Sequence, residues 1–161
     1  MREVAKVVQG TLQAQRKFID TKDAILTLWV HECERVFCDR FVKDKFNDGG
    51  EFRKAIENNL KAVLDVRASD LYKSAPSEIG IVCVSFLKEG ENPPYEHVHD
   101  FTALKRIVEE KLEDYNSEPK LLSMNLVMFS DAICHVCRIH RVINQGTACG
   151  RKCRCHVEFL H

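Results

Sequence analysis

The chain has 161 residues, 45% of them hydrophobic, with Lys plus Arg equal to Asp plus Glu at 24 each. That length and apolar content suit one modest domain or parts of two, and a formal net charge of zero favours neither nucleic acid nor an anionic membrane surface as partner. No apolar run approaches the roughly 18 residues of a membrane helix, and the opening MREVAKVVQG lacks the apolar core of a signal peptide, so an intracellular protein is expected. Of eight cysteines, Cys134, Cys137, Cys149, Cys153 and Cys155 fall late in the chain, while Cys33, Cys38 and Cys83 sit inside apolar patterns. They read as small hydrophobes of a reducing compartment rather than as a disulfide framework.

In chain order, Val4, Val7, Val8 and Leu12 give an amphipathic helix from Met1 to about Gln15, weakened at Gly10 by about 1 kcal/mol relative to Ala. A second helix runs from about Thr21 to about Val42, with Ile25, Leu28, Trp29, Cys33, Val36, Phe37 and Phe41 on one face and Thr21 and Asp23 as cap and first-turn acid. Within it, HECER invites a zinc-protease reading, but the zinc helix needs a second histidine where Arg35 stands. His31 and Glu32 therefore read as a half-exposed helix flank. KDKFNDGG, 43–50, is a polar turn, and Phe52, Ile56, Leu60, Val63 and Leu64 set a third helix over about 51–66.

Ser, Asp, Lys and Pro then mark 67–78 as a linker, and IGIVCVSFL, 79–87, reads as a buried strand. Pro93 and Pro94 make 88–99 a loop, where His97 and His99 lack a third ligand nearby and read as solvated. Asp100 caps a helix over about 101–115, and apolar spacing predicts a long helix over about 120–143. Cys134, Cys137 and His140 lie three apart within it, one ligand short of a tetrahedral zinc site, and read as packing residues. The tail, about 146–161, has no periodicity; Cys149, Cys153, Cys155 and His156 offer soft ligands at spacings that fit no familiar zinc module, so it reads as disordered.

Several stretches resemble the dynein heavy chain. LWVHECERVFCDR is similar to the family pattern L-W-x-H-E-x-x-R-V-F-x-D-R-L of the small helical subdomain in the third AAA+ module. Arg2 and Val8-Gln9-Gly10 resemble N-L-R-D-x-x-x-V-x-Q-G, and Tyr95-Glu96 with Val98 and Asp100 resembles Y-E-E-V-x-D. MNLVMFSDAICHVCRIHRVI, 124–143, resembles M-N-L-V-L-F-x-D-A-x-x-H-V-x-R-I-x-R-I-L, the stretch ahead of the fourth module's phosphate loop. Cys83 to Phe86 keeps only the apolar character of the family's L-L-F-G-D-F strand.

The resemblance implies a mostly α fold: an AAA+ helical lid subdomain at 1–66, a linker at 67–78, and at 79–145 one short strand and two further helices of an incomplete α/β AAA+ module, followed by an out-of-family tail at 146–161. It also implies a sensor-2 role for Arg2, a planar charged fork reaching toward nucleotide phosphates. The family continues with G-x-x-x-x-G-K-[ST], where this chain reads NQGTACGRKCRCHVEFLH. ATP and magnesium are thus expected for the complete motor and no cofactor for this chain alone, with no catalytic residue and no metal site. Implied partners are the remainder of the dynein motor ring, other dynein chains and, through the complete motor, microtubules, in cytoplasm and cytoskeleton or in the axoneme of a cilium. The alternative is a non-enzymatic helical scaffold binding a partner through the amphipathic faces of the helices at 21–42 or 120–143.

Overall fold

The computed structural model describes residues 1–38, 50–90 and 93–144. Its order is α1 (Arg2–Thr11), a single 3-10 turn (Arg16–Phe18), α2 (Lys22–Phe37), α3 (Gly50–Leu64), α4 (Ala68–Tyr72), β1 (Cys83–Val84), β2 (Glu96–His97), α5 (Phe101–Ser117) and α6 (Ser130–Ile143). The fold is mostly helical, and contacts divide it into two units, 1–99 and 100 onward.

In the first unit α2 is the central element. The Thr21 side chain accepts the Ala24 N–H at 3.2 Å and starts the helix, meeting one of the donors a first turn leaves open. The single predicted face is too narrow for what α2 does. Leu26, Val30, Cys33 and Val36 join Val7, Ile56, Leu60, Ala68 and Leu71 in one core, while Leu28 packs with Cys83 and Tyr95 on another side. A helix buried on two sides needs apolar residues around most of its circumference, and Ile25, assigned to the core face by spacing, is 44% exposed instead.

The contact of α1 with α2 also departs from the apolar pattern. Val7 and Gly10 are buried, whereas Val4, Val8 and Leu12 stay at least half exposed. The helices approach where one of them has no side chain. α3 ends at Asp65, whose φ of 53° is left-handed, with its N–H bonded to Lys61 O and that of Val66 to Leu60 O. Lys22 Nζ donates to Leu64 O at 2.9 Å and ties that end to the start of α2.

Three expectations need correction. The stretch 67–78 contains α4, whose Ala68 and Leu71 are 7% and 3% exposed within the first core. The strand expected over 79–87 shrinks to Cys83–Val84, paired antiparallel with Glu96–His97 in the register Cys83 to His97 and Val84 to Glu96, so the expected loop at 88–99 supplies its partner. The helix expected over 120–143 begins only at Ser130. Ahead of it, Met124 is held by Asn116, whose amide donates to Met124 O at 3.0 Å and accepts Met124 N–H at 2.7 Å; backbone groups satisfied by a side chain have no need of a helix. α5 matches its expected start, with Asp100 accepting the Thr102 N–H at 2.8 Å. The end of the second predicted helix, most of the 43–50 turn, and the tail with its candidate zinc ligands lie outside the described residues.

Candidate functional site

The chemistry-bearing side chains of the first unit gather on the HECER turn of α2. Glu32 is 0% exposed. Arg35, one turn later on the same face, donates to Glu32 Oε2 from Nε at 3.0 Å and from its terminal nitrogen at 2.7 Å, the paired fork that suits a buried carboxylate. The Tyr95 hydroxyl, arriving beside β2, donates to Glu32 Oε1 at 2.7 Å. His31 sits beside them, with Nδ1 3.0 Å from Ile81 O and Nε2 3.1 Å from the Tyr95 oxygen.

Burial pushes the Glu32 carboxyl up, but the Arg35 hydrogen bond, the Tyr95 hydrogen bond and the Arg35 charge outweigh it and hold the group below its usual 4.5. Burial lowers the His31 imidazole below 6.5, against the opposing charge of Glu32 and the Ile81 carbonyl. A neutral His31 that donates from Nδ1 to Ile81 leaves Nε2 as an acceptor. The single Tyr95 hydroxyl proton then has two acceptors, and the charged Glu32 at 2.7 Å wins over His31 at 3.1 Å.

Glu32, expected on a half-exposed flank, is thus a fully buried ion with both oxygens bonded. The sequence reading missed it because one partner is 63 residues away. The burial also explains Gly10: a Cβ there would lie 1.8 Å from Glu32 Oε2 and 2.2 Å from its carboxyl carbon. Only glycine lets α1 pass. The quoted stretches around Gly10, His31 and Tyr95 therefore meet in one place.

The same turn of α2 carries a second tie on another side of the helix. Glu34 Oε1 accepts from Arg53 Nε of α3 at 2.8 Å and from the Tyr72 hydroxyl of α4, so one carboxylate joins three helices. Arg2 lies apart from both networks, exposed at the first position of α1.

The residues weighed as metal ligands are placed as follows. Arg35 is engaged with Glu32 where a zinc helix would have its second histidine. The rings of His97 and His99 meet edge-on with centroids 4.6 Å apart, and burial first, then the charges of His99 and His31, takes His97 down to about 4. Cys137 is buried and its thiol is pushed up to about 12 by burial, Cys134 is half-buried, and His140 Nε2 lies 2.8 Å from Asn144 Nδ2. Among the described residues no group of three His, Cys, Asp or Glu side chains gathers as a metal site.

Residues 1–73 match the AAA+ lid domain family, a span that runs through α4 and past the boundary expected near 66. The chain is 41% identical over 145 residues to dynein axonemal heavy chain 2 of Homo sapiens, an alignment that covers 90% of this chain. It is 37% identical over 145 residues, 89% of its length, to the dynein-1-beta heavy chain, flagellar inner arm I1 complex, of Chlamydomonas reinhardtii. To the dynein alpha chain, flagellar outer arm, of the same alga it is 33% identical over 148 residues. The chain spans about 3% of the length of these relatives.

Proposed function

Because the chain is a segment of a dynein heavy chain with an AAA+ lid at residues 1–73, we propose that it forms the lid of the third AAA+ module and the opening of the fourth in an axonemal-type motor. The observation that carries this reading is the alignment to flagellar and axonemal heavy chains across about nine-tenths of the chain, on both sides of residue 73. In the complete motor, ATP hydrolysis with magnesium drives movement along microtubules. This segment contributes a lid that closes on nucleotide and passes its state to the neighbouring module, and Arg2 is the residue that senses the phosphates. The other parts of the ring, the other dynein chains and the microtubule are its partners, and the axoneme of a cilium or flagellum is its place. Without G-x-x-x-x-G-K-[ST], the segment alone neither binds ATP tightly nor hydrolyses it.

The scaffold reading is weaker on this fold. The apolar residues of α2 are largely taken up by α1, α3, α4 and the β1–β2 hairpin, and 120–129 is not helical.

Two measurements test the motor reading. Titrating the 161-residue chain with fluorescent ATP and magnesium should give no binding at micromolar concentrations, and tight binding would refute the claim that the phosphate loop is indispensable. In the complete heavy chain, Arg2→Ala should loosen nucleotide at its module roughly tenfold or more, the loss of a charge-assisted contact worth about 1.5–3 kcal/mol. Unaltered affinity and hydrolysis there would remove the sensor role from Arg2.

A further inference from the structure

Two elements press on the Glu32 carboxylate from different sides. α1 lies so close at Gly10 that even a methyl group would overlap Glu32 Oε2, and the Tyr95 hydroxyl of the hairpin region holds Oε1 at 2.7 Å. Arg35 fixes the remaining freedom with two hydrogen bonds to Oε2. A glutamate on a helix surface would simply rotate away from a crowding neighbour, since its side chain has several low-energy rotamers. Glu32 is fully buried and bonded at both oxygens, so displacing it strips a desolvated charge of its partners.

We propose that Glu32 is a positioning residue that couples α1 to the β1–β2 hairpin, so that a shift of the hairpin is felt at α1 and a shift of α1 at the hairpin. The chemistry is a carboxylate with one face against a helix backbone and the other on a tyrosine hydroxyl. If Tyr95 withdraws, Oε1 loses this hydrogen bond, the side chain relaxes around Arg35, and the surface on which Gly10 rests changes shape. Because α1 also carries Arg2 two turns ahead of Gly10, about 12 Å along the helix axis, the coupling joins the hairpin to the lid's phosphate-facing end. That last step rests on the reading of Arg2 given above; the coupling of α1 to the hairpin does not.

Coupling of this kind is reciprocal, and native-state hydrogen exchange on the 161-residue chain reads both directions. In Tyr95→Phe, which removes only the hydroxyl, the α1 amides near Gly10, such as that of Leu12 bonded to Val8 O, should exchange at least tenfold faster, measured against α3 amides as an internal reference. In Gly10→Ala, the Val98 amide, bonded to Val82 O at 2.9 Å beside the hairpin, should lose protection by a similar factor. Ala is otherwise the better helix former by about 1 kcal/mol, so a loss of protection opposes the propensity effect. The proposal is overturned if α1 and α3 respond equally to Tyr95→Phe, or if Val98 keeps its protection in Gly10→Ala. Should Tyr95→Phe fail to fold, the Gly10→Ala arm decides. If exchange shows the coupling while Arg2→Ala leaves nucleotide affinity unchanged in the complete heavy chain, the coupling stands and the sensor assignment falls.

Discussion

α2 and α6 look alike on paper. Each gathers histidine, cysteine and arginine within a few residues, in HECER and in CHVCRIH, among aliphatic residues. α2 buries Leu26, Leu28, Val30, Cys33 and Val36 and, among them, the charged Glu32. α6 buries Ile133, Cys137 and Arg141, and leaves Ile139, Val142 and Ile143 58%, 64% and 42% exposed. The difference lies in the neighbours rather than in the helices themselves. Glu32 is buried because Arg35 sits one turn away and Tyr95 arrives from a distant segment, so a charge can enter a core once its partners are in place. The outward apolar residues of α6 remain exposed to water in this chain.

The largest expected effect breaks the α2 side of the contrast. Glu32→Ala leaves the Arg35 guanidinium, whose side chain is 13% exposed, without its carboxylate, and takes from Tyr95 its charged acceptor. Breaking a buried pair by removing one partner costs about 3–5 kcal/mol. Chemical denaturation should show a loss of that size, and a loss under about 1 kcal/mol would mean that the network behaves like a surface ion pair.

Acid should act in the same place and in the same direction. His97 is lowered from 6.5 to about 4, and His31 also lies below 6.5. The unfolded chain therefore takes up protons near pH 6.5 that the fold refuses, and stability is lost as pH falls from 6.5 towards 4. Glu32, depressed below 4.5, contributes stability that is complete above that value and disappears as pH falls through its lower folded pKa. A denaturation midpoint that declines below pH 6.5, with a shallower decline in His97→Gln between 6.5 and 4, is the expected result. A flat profile over that range would show that neither histidine differs between folded and unfolded chains.

Much of this was legible where the signal is local. Thr21 and Asp100 announce the starts of α2 and α5, since a cap needs only a neighbour two or three residues away. The errors occur where a distant partner decides. Residues 79–87 read as a strand by composition, but only Cys83 and Val84 form register pairs across the hairpin, and a ladder extends only as far as its partner does. LLSMNLVMF has helical apolar spacing, yet Pro119 precedes it and Asn116 claims both backbone groups of Met124. Gly10 reads as a weak point in α1 until Glu32 is found beneath it. The candidate site was visible as three separate stretches, and what joins them is a hydrogen bond spanning 63 residues.

The smallest expected effect tests the α6 side. Ile139 points to solvent at 58% exposure, one residue ahead of His140 on the last turns of the helix. Ile139→Lys replaces a β-branched residue with a better helix former, worth a few tenths of a kcal/mol. It also places a cation near the negative end of the helix dipole, worth about 0.3–1 kcal/mol at most. Little apolar burial is lost in exchange, so stability should change by no more than about 1 kcal/mol. A clear destabilisation would mean that Ile139 is covered in this chain after all, and α6 would then be as complete an element as α2. A neutral result here, together with reduced solubility or motor assembly when the same change is made in the complete heavy chain, would identify this face as one that the rest of the module covers.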